Sequence, residues 1–357
     1  MVAQELQLIK DKRGYEPSAI LPSKIDFTQF IVRGHYTKSQ TLSRYFLGMM
    51  WFGLAPIEVR DSRGNPVEAG ARIAVVIADA MGAGTAFADW EGIYEPTTLY
   101  AGSVNSLTPA MVASVRRKMP GRPDSLNWKA FGEALAKLDP AIYKPSMKLQ
   151  TGVAQGTIVK FMGQRGLLDG WVISRVTSLE RPLPSGLDVM AALGSKAASG
   201  ILDANADRFN PKGWDEYGRR LADATAKLAA LKAGEWATNL HVGWLDMLRS
   251  KVAPPAHAVP PFMKSAAWGA ASLEGGLASW AQLRHDTILY GEQTAIEMGD
   301  GEEEQPLCQG LRRTEPSLLR QDDAAPIDAE IGIGRAQADR QGCPSRPRPL
   351  PRAHRVP

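Results

Sequence analysis

The sequence predicts a mainly α fold: an array of α/α helical pairs (a solenoid or incomplete toroid) with long loops. Three observations carry this reading. Apolar residues recur at i, i+3, i+4 and i+7 in several segments, the spacing of helices that bury one face. Only 171–176 (Trp-Val-Ile-Ser-Arg-Val) has the look of a strand. Gly- and Pro-marked stretches separate the helical segments, which favours paired helices over a bundle with tight turns.

The first clear helix opens at a capping-box pattern, Thr37 at the N-cap and Gln40 at N3. Leu42, Tyr45, Phe46, Met49 and Met50 follow on one face, and Trp51 and Phe52 widen the stripe until Gly53 and Pro56. Helical spacing accounts for Met49, Met50 and Trp51 as core residues. Ile73, Val76, Ile77, Ala80 and Met81 repeat the pattern before Gly82 and Gly84. Thr108 followed by Pro109 is an N-cap with proline at N1, opening a helix to about Met119. Trp128, Phe131, Leu135 and Leu138 mark another, closed by Asp139 and Pro140. Two more carry Trp214, Tyr217, Leu221, Leu228 and Leu231, and then Trp236, Leu240, Trp244 and Leu248. After the prolines from Pro254 to Pro261, helix returns from Phe262 to about Met298, split at Gly275 and Gly276.

Composition divides the 357 residues near Gly299. Every Trp, Tyr and Phe lies at or before Tyr290, whereas Cys308 and Cys343 lie after it. The last lysine is Lys264, and residues 305–357 hold nine Arg and eight Pro. Without aromatics, and broken by proline, that stretch cannot bury enough surface to offset its ordering entropy, and is expected to be a disordered tail. Residues 1–299 are thus one helical domain and 300–357 the tail. Two cysteines in such a tail make neither a disulfide framework nor a metal site. The helical domain carries a mild positive surplus with no basic stripe interleaved with aromatics, so nucleic acid is not an expected partner. No run reaches the ~18 apolar residues of a membrane helix, and residues 1–13 lack the apolar core of a signal peptide.

Several segments resemble the family known as domain of unknown function 3160. They are Phe30-Ile-Val-Arg-Gly-His-Tyr-Thr37, Arg44-Tyr-Phe-Leu-Gly-Met-Met-Trp-Phe52 and Phe161-Met-Gly-Gln-Arg165. Further on come Arg181-Pro-Leu-Pro-Ser-Gly-Leu-Asp-Val-Met-Ala-Ala-Leu-Gly-Ser195 and Ser279-Trp-Ala-Gln-Leu-Arg-His-Asp-Thr-Ile-Leu-Tyr290. The resemblance covers roughly residues 1–299 and implies a longer parent domain, often exported or a lipoprotein, of which this chain begins inside. It departs from the family pattern at Gly166-Leu-Leu-Asp-Gly170, and brings no accepted activity. Family members continue past Tyr290 into a Tyr-Val-Glu-Pro segment. The codons of Pro306 to Glu315, read one base later, permit a similar sequence, so a frameshift near Gln305 is the expected origin of the tail.

Arg284, His285 and Asp286 are consecutive, so on a helix they fan over about 200° and cannot converge on one atom. Among Trp280, Leu283, Ile288 and Leu289 they read as a buried polar network; alternatively His285 faces a cleft, where an imidazole suits proton transfer. Arg33 and His35, around Gly34 and Tyr36, either pack on the first helix or line a ligand pocket. Asp79, Asp89, Glu91, Asp188 and Asp286 lie in or beside apolar stretches, where a raised pKa makes a general acid. Asp89 and Glu91 around Trp90 are the best local pair, and also read as exposed flanks of a core tryptophan. His35, His241, His257 and His285 share no metal-ligand spacing, Gly82-Ala-Gly84 is no dinucleotide fingerprint, and no cofactor is expected.

Two functional readings follow. One is a helical ligand-binding domain of an exported envelope protein, with a small-molecule, glycan or peptide partner, contacted through Arg33, His35 and Arg284. The other is a carboxylate-dependent hydrolase of glycosides, with Asp89, Glu91, His285 and Asp286 as catalytic candidates. A structural protein without a pocket is the remaining alternative.

Overall fold

The computed structural model describes residues 1–139, 156–178, 180–254 and 258–292. The expected tail, both cysteines, His257 and the 293–298 end of the last expected helix lie outside these residues.

The chain opens with α1 (Val2–Asp11), which docks through one buried carboxylate. Glu5 accepts bonds from the Ser18 hydroxyl, the Ala19 amide and the Trp51 indole, the last at 2.9 Å. An antiparallel pair, β1 (Tyr15–Pro17) and β2 (Lys24–Asp26), leads into two 3-10 turns. Helix α2 (Gln40–Leu54) follows, with Ser39 as its N-cap, accepting from the Leu42 amide. The cap expected at Thr37 is instead inside the second 3-10 turn, two residues too early, because Gly34 already turns the chain there with a positive φ. Phe46, Met49 and Met50 are buried as expected, whereas Trp51 is half-buried.

Next come β3 (Ile57–Arg60), α3 (Glu68–Gly82), α4 (Ala86–Ala101), α5 (Pro109–Lys118), α6 (Trp128–Ala136) and β4 (Thr157–Val159), which pairs antiparallel with β3. The Thr108 cap and N1 proline of α5 are present, the Thr108 hydroxyl accepting from Met111. In α3 the helix is where periodicity placed it, but its face is rotated. Val76 is 59% exposed, and Ala71, Ala74, Val75, Ala78 and Met81 face the core. Small residues do this because α3 lies against β3 so closely that Gly70 touches the Glu58 carbonyl.

The second half holds α7 (Leu168–Arg175), α8 (Gly186–Ala192), α9 (Lys196–Ala204), α10 (Ala206–Phe209), α11 (Tyr217–Ala229), α12 (Ala233–Trp236), α13 (Leu240–Val252) and α14 (Ala266–Asp286). The expected strand at 171–176 is helix: Leu168, Val172 and Ile173 bury one face at i, i+4 and i+5. Nor is α14 split at its glycines. A Cβ at Gly276 would sit 2.7 Å from Val252 of α13, so the missing side chain lets two helices close together. Helices pack both on chain neighbours, α8 with α9 and α13 with α14, and on distant ones, α8 with α11 and α14 and α4 with α13, a pattern compatible with a helical-pair array. Among the described residues, fourteen α-helices outweigh four short strands, and the protein is mainly α.

These elements enclose two hydrophobic cores. One gathers Phe27, Phe30, Phe46, Met50, Leu107, Phe131 and their neighbours from the first half, together with Leu289. The other gathers Val172, Met190, Leu228, Trp236, Leu245, Trp280 and Leu283. The chain passes between them at 162–168 and again at 283–289, and both passages carry charged residues.

Candidate functional site: the polar seam between the cores

Apolar side chains commit to one core or the other, so polar groups collect at the crossings. In the first crossing Arg165 is fully buried. Its amide donates to the Tyr290 carbonyl at 2.7 Å, and its own carbonyl accepts from the Glu292 amide at 2.9 Å. In the second crossing α14 ends at Asp286, and its last turn presents Arg284, His285 and Asp286 in three directions.

The three side chains of this triplet have different surroundings. Arg284 turns inward, with Nη1 3.8 Å from Asp169. Asp169 is buried to 1% exposure and accepts from His241 Nε2 at 2.9 Å and Trp280 Nε1 at 2.8 Å. Burial opposes its charge, but His241, Arg284 and these hydrogen bonds outweigh that and hold its pKa well below the usual carboxylate range. This is the buried network tying α14 to α7 and α13. His285 turns outward and is exposed, its Nδ1 3.3 Å from the half-buried Asp286, which also accepts from Gln282 at 2.8 Å.

His285 meets residues from the opposite end of the chain. Its ring centroid is 5.9 Å from that of His35, which packs on Tyr36 at 4.0 Å. Gly34 makes this approach possible: a Cβ there would lie 3.2 Å from His285 Nε2, and its φ of 63° suits glycine. Beside the imidazoles, the Tyr45 and Tyr290 hydroxyls share a 2.7 Å hydrogen bond across 245 positions. Tyr36 and Tyr100 complete a cluster of phenols. Burial pushes Tyr36, Tyr100 and Tyr290 above the usual phenol range; the Asp286 carboxylate adds to this at Tyr100, as does the Tyr45 contact at Tyr290. The rim is therefore two imidazoles, the phenols of Tyr45, Tyr100 and Tyr290 and one carboxylate, packed over the buried Tyr36, with His285 and Tyr45 exposed.

Two further groups adjoin the crossing. Glu292 accepts from Asn105 Nδ2 at 2.8 Å; burial raises its pKa, while burial lowers that of Lys160, and each charge partly offsets the effect on the other. Nothing in the sequence marked Arg165, Lys160, Glu292 or the tyrosines Tyr45, Tyr100 and Tyr290 as a group.

Other expected site residues lie elsewhere. Asp89 and Glu91 are exposed, flanking the buried Trp90, whose indole donates to the Phe161 carbonyl at 2.7 Å. They sit near the start of α4, about 16 Å (Asp89) and about 14 Å (Glu91) along the helix axis from Tyr100 at about 1.5 Å per residue. Arg33 donates to the Gln29 and Ile31 carbonyls and stacks on Phe46 at 5.4 Å. Asp79 pairs at the surface with Arg116, and Asp188 is wholly buried against Arg181 and Tyr217. Among the described residues no group of three His, Cys, Asp or Glu side chains is arranged to hold a metal ion, and no single helix is long and apolar enough to cross a membrane.

Fold and site together define a mainly α protein whose polar residues converge on a seam between two cores. The chain belongs to the family described as Protein of unknown function (DUF3160), whose model matches residues 1–317. No curated protein and no solved structure matches it.

Proposed function

We propose that the seam binds a polyhydroxylated ligand of the glycan class, and that the protein acts by binding rather than by catalysis. The observation that carries this is the convergence of His35, Tyr45, His285 and Tyr290 from the two ends of the chain on one half-open rim. Phenol and imidazole rings offer flat apolar faces for sugar rings, and their O–H and N–H groups offer both donors and acceptors at the edges. Such a mixture suits a ligand that is apolar on its faces and hydroxylated around its perimeter. The hydrolase reading is less favoured: it needs two carboxylates about 5–10 Å apart, and Asp286 is the carboxylate of the described rim, with Asp89 and Glu91 remote from it. The envelope location implied by the family resemblance is part of the same proposal.

A panel of neutral and acidic oligosaccharides and of peptides, titrated into the full chain, tests it. His285→Ala and Tyr290→Phe are expected to weaken binding about tenfold each, the loss of one well-placed hydrogen bond. Glu91→Gln is expected to bind as the unaltered protein does. If both rim variants keep their fold and their affinity, or if peptides bind and no oligosaccharide does, the proposal falls.

A further inference from the structure

Among the described residues the Arg165 side chain has no counter-charge. Its guanidinium is fully buried, and it is protonated at any physiological pH. Nη1 donates to the Gly163 carbonyl at 2.6 Å, and Nη2 to the Thr97 hydroxyl at 2.5 Å and the Tyr94 carbonyl at 3.4 Å. The cation also lies 5.1 Å from the centre of the Tyr94 ring. All these partners are neutral, Nε has none, and no carboxylate of the described residues lies within ion-pair distance. The other buried arginine shows what the fold does when an arginine is purely structural: Arg181 is closed by Asp188 at 2.9 and 3.0 Å and stacks on Tyr217. A buried cation left with neutral partners is costly.

The place from which it would arrive is also defined. Arg165 is bonded through its backbone to Tyr290, and the Tyr45 and Tyr290 rings lie within electrostatic reach of its guanidinium. Their shared hydroxyl bond is at the surface and joins two side chains from remote segments. A ligand group coming from the rim would have to part that bond to approach the cation.

We infer that Arg165 is the receptor for a carboxylate on the ligand, so that the glycan of the proposed function is an acidic one containing hexuronate units. The inference rests on the glycan-binding reading and adds its charge. A sugar carboxylate would accept from Nε while its ring stays among the phenols at the rim.

The test titrates trigalacturonate and the matching neutral trigalactoside into the full chain at constant ionic strength. The unaltered protein is expected to prefer the acidic trimer at least tenfold, and Arg165→Gln to bring the preference close to one. Since Arg165→Gln can impair folding, Thr97→Asp serves as the second variant: it places a carboxylate at the Nη2 contact and is expected to abolish the preference by filling the site from within. Equal affinity for both trimers in the unaltered protein overturns the inference and leaves the glycan proposal standing. A preference that survives both substitutions also overturns it, placing the charge reading elsewhere. Binding of neither trimer fails the glycan reading itself. Sodium sulfate that alone raises the melting temperature as much as the acidic trimer overturns the glycan assignment in favour of a free oxyanion.

Discussion

Replacing Asp169 by alanine separates the buried network of α14 from the apolar packing around it. The substitution removes a carboxylate that is 1% exposed and leaves two donors facing it, His241 Nε2 and Trp280 Nε1. Each orphaned buried group costs about 1–3 kcal/mol. Arg284, with 14% of its side chain exposed, loses its one ion-pair partner among the described residues, at 3.8 Å, a weaker contribution at that distance. The expected loss is therefore about 3–5 kcal/mol, the range for breaking a buried ion pair from one side. Urea unfolding of both proteins at pH 7 measures it. Because the folded pKa of Asp169 is depressed below the unfolded value near 3.9, the unfolded state binds more protons in acid. The contribution is complete above the unfolded value and is lost as pH falls toward the folded one. The stability gap between the two proteins should begin to narrow below about pH 5 and go on narrowing below about pH 3. A loss under about 1 kcal/mol, or a gap that does not change with pH, refutes the assignment of an ionised, pivotal carboxylate.

Three further outcomes test other parts of the structure. Val75→Ala should cost about 2 kcal/mol and Val76→Thr less than about 0.5 in the same unfolding assay, since one side chain is fully buried and its neighbour is 59% exposed; equal costs would restore the face expected from periodicity. Gly70→Ala should cost about 2 kcal/mol or more, because its Cβ meets the Glu58 backbone, which cannot yield as a flexible side chain can. In spectrophotometric titration, Tyr15, Tyr36, Tyr100, Tyr217 and Tyr290 should ionise above the usual phenol range, and Tyr290→Phe should remove one late step. As the folded state favours the neutral phenols, their contribution to stability is present below about pH 10 and is lost above it.

Much of the helical framework was legible because capping and burial act locally. Thr108 and Pro109 open α5 by chemistry contained within four residues, and the α2 stripe needs only its own period. The errors arose where a distant neighbour decides. Gly275 and Gly276 look like a break until Val252 and Met190 are seen to lie against Gly276. The apolar run at 171–176 fits both periods over so short a length, and Leu168 and Asp169, outside it, select the helix. Helix α4 carries no legible period because Pro96 lies inside it and its buried residues are few, Trp90 and Ala101. At the site, His35 and His285 were identified singly, since histidine stands out in an apolar setting. That they are neighbours, and that tyrosines from both ends of the chain join them, depends on the chain path.

The bond pair that fastens Arg165 to Tyr290 and Glu292 has a kinetic consequence. Gln164 also donates to the Leu289 carbonyl, 125 positions away in sequence. Each core condenses chiefly from contacts within its own half of the chain, so neither has to wait for this closure. A loop of that length closes slowly, and contacts of high sequence separation delay folding. The seam is thus expected to be the last part of the described molecule to assemble, as a clasp drawn shut over two finished halves. A chain halted just before that step would hold both cores and most of its helices, yet have no rim on which anything could bind.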